Sequence, residues 1–333
     1  MNLVISDMES VPDEFMSALS EKTGLEWSTL DWQSNQPRAG IVSELKRYAT
    51  YIFRPLSVVF RKDLDRIVTW QQFYGISYAF WSRLLRRPKT ARLTVMTFIY
   101  KPKGGHAGRV YERFIGYALR SRYIDTITRS SSAECDRYSE EFDVPRERFA
   151  FVPWCVEDRS AEHPFDPSRE SGYVLASGRS NRDYPLLIEA ATGADFRVKI
   201  IDDTLGDVPC PPNVELIGNA WGGVTLDYLA NCGAFAIPIG DPDVSAGQTV
   251  LLQAWSFGKP VVCTRGAGLS DDYIEDGADG LLVGKDAGEM RAALERLIAD
   301  PGMRRRLGEA GHRKYEEGYS LSSLGRNVGE TFA

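Results

Sequence analysis

Two short stretches carry the groups from which an anion site can be built. The first is "SGRSNRDYPLLIEA", 177–190, where Gly178, Arg179 and Arg182 stand between an apolar run and a helix-like one. A guanidinium is a planar fork of donors that never loses its charge at ordinary pH, which suits it to phosphate. The second is "DPDVSAGQTVLLQAWSFGK", 241–259, whose apolar periodicity begins only after Ser245, Ala246, Gly247, Gln248 and Thr249. The first amides of a helix have no partner within it, and the helix dipole adds partial positive charge there. Small residues let a bulky anion reach those amides. Each stretch also has a plainer reading. Arg179 and Arg182 could form a solvated basic turn, and Ser245 or Thr249 could cap a helix that Gly247 merely enters.

Other chemistries are poorly served. The chain has three histidines, His106, His163 and His312, and five dispersed cysteines. None is spaced as a zinc site requires, and no metal is expected. An odd, scattered set of thiols fits a reducing compartment better than a disulfide framework. Asp241-Pro242-Asp243 resembles a metal-binding Asp pair, but the proline makes it a natural turn. Asp271 and Asp272 in "GAGLSDDYIEDGADGLLV" could accept hydrogen bonds from sugar hydroxyls or could simply open a helix.

The elements that must position these groups are most legible in the second half. Short apolar runs, "YVLASG", "FRVKII", "VELIG", "GAFAIPI", "PVVCT" and "GLLV", alternate with helical patterns. That alternation predicts a doubly wound parallel sheet, on which ligands bind at the carboxyl ends of strands. The first half repeats it less regularly, with helices expected at 12–22, 41–60, 75–87, 107–122 and 132–142. The polar, aperiodic segment 156–172 reads as a linker. At 333 residues the chain has room for about two domains at roughly 150 residues each. A net charge of −6 argues against whole-protein binding to nucleic acid,. The N-terminus is too short and too acidic to read as a signal peptide, and the longest uncharged run, 67–82, is too short and polar to span a membrane. A cytoplasmic protein is expected.

Taken as a set, the motifs between about Ser171 and Tyr319 resemble the GT-B glycosyltransferases, in particular the large retaining family 4 (group 1). "SGRSNRDYPLLIEA", "VELIGN", "SAGQTVLLQAWSFGKPVV" and "DDYIEDGADGLLV" carry the likeness. In the first half only "YIDTITRSSSAECDRYSEEFDVPRERFAFVPW" does. The resemblance implies two Rossmann-like α/β domains facing a cleft. Residues 1–160 would form the acceptor side, 161–172 the linker and 173–318 the nucleotide-sugar domain. A C-terminal helix in 319–333 would pack back on the first domain.

By the same resemblance, Arg179 neutralises the donor diphosphate and Arg182 replaces a lysine that usually follows it. Gly247 is the glycine of the donor loop. Ser245 and Gln253 occupy the positions of a glutamate pair that relatives use for the sugar and the ribose. Gln253 can still bond a ribose through its amide, whereas Ser245 supplies no carboxylate. Asn219 and Trp221 fall near the base. His106 is the histidine nearest to the one relatives place beside the reacting sugar. The implied reaction moves a sugar from a UDP- or GDP-sugar to a glycan or lipid-linked acceptor, with retention and without a metal. The alternatives are an inverting GT-B transferase or a non-catalytic nucleotide-sugar-binding protein. From Lys46 to Arg92 basic residues interleave with aromatics such as Tyr48, Trp70 and Trp81. This pattern fits either ordinary helices with solvated charged faces or attachment to the inner face of an anionic membrane.

Overall fold

A computed structural model describes residues 1–32, 41–206, 208–266 and 268–333. It divides into two compact units, Met1–Pro153 with Leu321–Ala333, and Trp154–Ser320.

In the first unit the order is β1 Asn2–Ser6, α1 Asp13–Thr23, β2 Trp27–Asp31, α2 Ile41–Phe53, α3 Leu56–Val59, β3 Arg66–Thr69, α4 Gln72–Leu84, β4 Arg92–Val95, α5 Gly105–Leu119, β5 Thr126–Arg129, α6 Ser132–Phe142 and β6 Phe149–Phe151. The helix expected over 41–60 is two helices. Pro55 stands between them at the head of α3, where the missing amide costs nothing. The sheet runs β2-β1-β3-β4-β5-β6, all pairs parallel. The chain winds outward from β1 and then crosses back to β3, so its switch point lies between those two strands.

The second unit contains β7 Val174–Ser177, α7 Tyr184–Ala191, β8 Val198–Ile201, β9 Val214–Ile217, α8 Gly223–Asn231, β10 Ala234–Ile237, α9 Gln248–Ser256, β11 Val261–Thr264, α10 Ser270–Tyr273, β12 Leu281–Val283, α11 Ala287–Ala299 and α12 Pro301–Gly318. Its sheet order is β12-β11-β10-β7-β8-β9, again parallel throughout. Every residue of β7, β8, β10 and β11 is buried. That is why these strands read as continuous apolar runs rather than alternating ones: helices cover both faces. One core layer gathers around Trp255, Phe235 and Tyr273, the other around Leu187, Met290 and Leu294.

Two connections decide which residues belong to which unit. The segment from Trp154 to Gly172 is tied into the second unit by specific bonds. Tyr273 Oη accepts from the Trp154 amide at 2.9 Å, and Tyr315 Oη donates to the Val156 carbonyl at 2.9 Å. His163 Nδ1 lies 2.7 Å from Asp227, and Glu170 pairs with Lys199 at 2.9 Å. After α12 the chain returns to the first unit, where α13 Leu321–Glu330 lies on α1. The approach is close: a Cβ on Gly325 would sit 2.5 Å from the carbonyl of Phe15. Lys22 pairs with Glu330 beside it at 2.9 Å.

Candidate functional site

The switch point of the second sheet lies between β7 and β10, which connect outward in opposite directions. In open parallel sheets the crevice beyond such a point is where ligands bind. Both sequence stretches singled out above emerge there, one from each strand.

The two loops are locked to each other through Asn181. Its backbone is left-handed, with φ 55°, a conformation that Asn tolerates better than most residues. Its side-chain amide donates to the carbonyls of Asp241 and Val244 at 2.8 and 3.2 Å, and its Oδ1 accepts from the Asp241 amide at 2.7 Å. The Asp183 amide reaches the Pro238 carbonyl at 2.9 Å, and Asp183 caps α7 through the Leu186 amide at 3.1 Å. The sequence reading passed over Asn181. Its signal was a small polar residue, tolerant of left-handed backbone, between two arginines.

Arg182 is held where the loops meet. Its guanidinium donates to the carbonyls of Ser177 and Ser180 at 3.3 and 2.7 Å. Gly178, at φ 114°, leaves it room, for a Cβ there would meet Arg182 Nη2 at 2.8 Å. On the other loop Gly247 is the residue before α9, at φ 104°. A Cβ on Gly247 would lie 3.6 Å from the same Nη2 and 2.7 Å from Leu269. Gly178, Arg182 and Gly247 therefore converge. Burial lowers the pKa of the Arg182 guanidinium from its ordinary value, and the group still carries its charge near neutrality.

No side chain caps α9. The capping alternative for Ser245 and Thr249 is thus not what the fold uses. Ser245 Oγ instead accepts from the Gln248 side chain at 2.5 Å, and Gln248 also reaches the Gly268 carbonyl at 3.2 Å. The first amides of α9 have no partner within the helix, and the helix begins on the loop that leaves the carboxyl end of β10. Ala246 is buried beside them. Gln253 lies one and a half turns along α9 and is partly exposed.

Arg179 is placed differently from Arg182. It is exposed, and its guanidinium lies over the ring of Trp221 at 4.0 Å. Trp221 is itself 40% exposed and stands in the turn between β9 and α8. Cation and ring form a flat platform along the carboxyl edge. Nearby, a cleft of about 700 Å³ opens between the ends of β8 and β9, lined by Asp202, Asp203, Gly206, Val208, Leu216 and Asn219 among others. Asn219 is left-handed at φ 57°, and its amide bonds Asp203 at 2.9 Å. Asp202 is occupied in a local turn, accepting from the Thr204 and Leu205 amides at 2.5 and 3.1 Å. The Asp202–Asp203 pair was missed in the sequence, although "IIDD" puts it directly after a buried strand.

The remaining candidates fall elsewhere. Asp241 accepts from the Asp243 amide at 3.0 Å, the turn its proline implied. Asp271 and Asp272 lie inside the short α10, where Asp271 accepts from Ser270 at 2.9 Å. His106 is in the first unit, exposed on the opening turn of α5. No group of three His, Cys, Asp or Glu side chains placed to hold a metal occurs among the described residues. Nor is any helix there long and apolar enough to cross a membrane.

Comparison with known proteins bears on the same half of the chain. Residues 198–300 match the family described as glycosyl transferases group 1. A stretch of 98 residues is 35% identical to the lipopolysaccharide core biosynthesis glycosyltransferase LpsE of Rhizobium meliloti (strain 1021), covering 28% of this chain and 26% of that protein. The match thus spans about a quarter of the relative's length. Among solved structures, Anabaena HepE in complex with UDP and glucose superposes with a TM-score of 0.65 at 15% identity, over 100% of this chain and 99% of its own. Sucrose-phosphate synthase of Thermosynechococcus elongatus does so at 0.67 and 13% identity, over 100% and 98%. At that identity the likeness is one of fold. The chain has the GT-B fold of the glycosyltransferases, and residues 198–300 of its second unit are similar to the group 1 glycosyl transferases.

Proposed function

We propose that this protein is a glycosyltransferase that moves a sugar from a nucleoside diphosphate sugar, with UDP or GDP as the nucleotide, to a glycan or lipid-linked acceptor. The observation that carries the reading is the convergence of Arg182, Gly178 and the uncapped head of α9 on one crevice at the switch point. As the C1–O bond of the donor stretches, negative charge collects on the diphosphate. Arg182 and the amides of Gln248 and Thr249 offer donors fixed in place before the reaction, so their stabilisation needs no reorganisation during it. Arg179 lies close by on the Trp221 platform and closes over the diphosphate or stacks beside the base. The cleft at Asp203 and Asn219 takes the nucleoside end. In this scheme the diphosphate charge is met by guanidinium and amide groups, and no metal is required. Transfer proceeds with retention, the leaving phosphate oxygen accepting the acceptor's proton. The lipopolysaccharide-core role named for LpsE supports a surface-glycan acceptor.

A thermal-shift screen of UDP, GDP, ADP and TDP with their sugars, with and without EDTA, tests the donor. A ligand at a hundred times its Kd adds about 2.7 kcal/mol to stability. Stabilisation by one nucleotide that survives EDTA is the expected result. No stabilisation by any of them would overturn the reading. Slow release of nucleotide from the sugar donor in the absence of acceptor separates a transferase from a protein that only binds.

A further inference from the structure

The turn that carries Trp221 is anchored on both sides. Before it, the Asn219 amide donates to Asp203 at 2.9 Å. After it come Gly222 and Gly223, at the head of α8. Gly222 takes φ 61° and ψ −126°, a backbone that only glycine adopts without strain. No side chain caps α8. The ring of His163 lies against its first residue instead: a Cβ on Gly223 would sit 2.9 Å from His163 Cε1 and 3.4 Å from Nε2.

His163 belongs to the segment between Trp154 and Gly172, which is tied along α8. The Asp166 amide donates to Asn231 Oδ1 at 3.2 Å, and the Gly172 amide to the Asn231 carbonyl at 3.1 Å. The His163 side chain is only 14% exposed, and its two nitrogens have opposite neighbours. Nδ1 lies 2.7 Å from Asp227 Oδ1. That bond holds the Asp227 carboxyl below its ordinary pKa, so the group is a carboxylate and only accepts. Nε2 lies 3.3 Å from Arg159 Nη2, and a guanidinium only donates. These neighbours select a neutral ring, with its proton on Nδ1 and its lone pair on Nε2. Two further charges stand around it. Glu162 binds Arg159 at 3.0 and 2.8 Å, and Arg169 pairs with the second oxygen of Asp227 at 3.2 Å.

We propose that His163 is a positioning residue for the Trp221–Arg179 platform, and that protonation of its ring loosens that platform. The neutral ring props the head of α8 and so fixes Trp221, two residues before Gly223. A proton on Nε2 removes the lone pair that takes the Arg159 bond and sets two cations face to face. Arg159 keeps Glu162, and the ring keeps Asp227, now as an ion pair. The ring turns toward Asp227, and Cε1 gives up its place against Gly223, with Gly222 as the hinge that lets Trp221 follow. Histidine changes charge between about pH 5 and pH 8, so the platform is firm at the upper end of that range and loose at the lower. The effect on donor binding rests on the sugar-transfer reading, whereas the placing of Trp221 does not.

The full chain is labelled at its tryptophan indole nitrogens for NMR. The Trp221 resonance, assigned by its absence in Trp221→Phe, is followed from about pH 8 to about pH 5. In the unaltered chain it should shift in one step. His163→Asn keeps a donor where Nδ1 stands and cannot titrate, so its resonance should stay at the high-pH position. His312→Asn, which removes the other histidine of this unit, should leave the step in place. If His163→Asn does not fold, His163→Gln carries the comparison. UDP and GDP affinities are measured by calorimetry at both ends of the range. On acidification the unaltered chain should lose about two- to fivefold more affinity than His163→Asn, the size of an exposed cation–π contact; the comparison cancels protonation of the nucleotide itself. A Trp221 resonance that does not move with pH, or that moves equally in His163→Asn, overturns the proposal. Equal loss of affinity in the two chains overturns its consequence for the donor. If neither nucleotide binds at any pH, the sugar-transfer reading fails, and the resonance alone decides the role of His163.

Discussion

Nη2 of Arg182 lies 3.6 Å from the point where a side chain on Gly247 would begin. The two residues are 65 positions apart in sequence and come from loops after different strands. Between them, a fixed cation and the open head of a helix face the same small volume. Each is a weak signal by itself, and their convergence carries the proposed anion site.

Substitution at Gly247 tests the helix head. In Gly247→Ala the new methyl would meet Leu269 at 2.7 Å on a backbone at φ 104°. A strained non-glycine residue of this kind costs about 1–3 kcal/mol. UDP or GDP affinity measured by calorimetry should fall at least about tenfold, because the loop must move to relieve the clash and each tenfold step is about 1.4 kcal/mol. Unchanged affinity would place the anion elsewhere.

Arg182 and Arg179 should differ. Arg182→Ala removes a preorganised donor, and turnover should drop by about a hundredfold or more, the effect of losing one well-placed group. Arg182→Lys keeps the charge but not the fork that grips Ser177 and Ser180, and should recover only part of that loss. Arg179→Ala keeps the loop geometry and should act mainly on donor affinity. Steady-state kinetics, with a melting curve for each variant, separates the two. Equal losses in kcat would show that Arg179 leaves Trp221 to join the diphosphate in the transition state.

Trp221 supports Arg179 through its ring face. An exposed cation–π contact is worth about 0.5–1 kcal/mol. Trp221→Ala should weaken donor binding by a few-fold, and Trp221→Phe should restore most of it. Failure of phenylalanine to rescue would assign Trp221 a role through its indole nitrogen instead.

In the first unit the close packing of α13 on α1 predicts sensitivity at Gly325. Gly325→Leu forces a side chain against the Phe15 carbonyl and should cost about 1–3 kcal/mol or more, as overpacking does. Chemical denaturation would register it as a lower midpoint with nucleotide affinity little changed. A neutral result would mean that α13 is loosely docked.

Acid should loosen the segment between Trp154 and Gly172. The hydrogen bond from Lys199 holds the Glu170 carboxyl below its ordinary pKa, and the Lys199 and Arg197 charges add to that pull. The folded chain therefore binds fewer protons here than the unfolded chain, and the pair stabilises the fold above the ordinary glutamate pKa of about 4.3. That contribution is lost as pH falls from there through the lowered folded value. The difference in Tm between the unaltered chain and Glu170→Gln should shrink across that acidic window. A difference constant with pH would remove the ion pair from the account.

Much of this was legible in the residues alone. Buried strands such as "AFAI" and "VVCT", each between helical patterns, read as central strands of a covered parallel sheet, because helices on both faces hide so continuous an apolar run,. The small residues before Val250 allowed an open helix head but left capping by Ser245 or Thr249 as an alternative, and the fold uses no side-chain cap there. Pro55 stands inside the stretch 41–60 that was expected as one helix, and that helix became two.

Tertiary structure decided what each polar group faces. Arg179 and Arg182 are three residues apart and chemically identical, yet one stacks on Trp221 and the other lies against Gly247. Asn181 became the clasp between two loops only when β10 was laid beside β7. Asp203 and Asn219 met through the pairing of β8 and β9. Local sequence sets backbone preference and burial through neighbouring residues. Which charges share a hollow depends on strand order, and that is settled by long-range packing that no short stretch encodes.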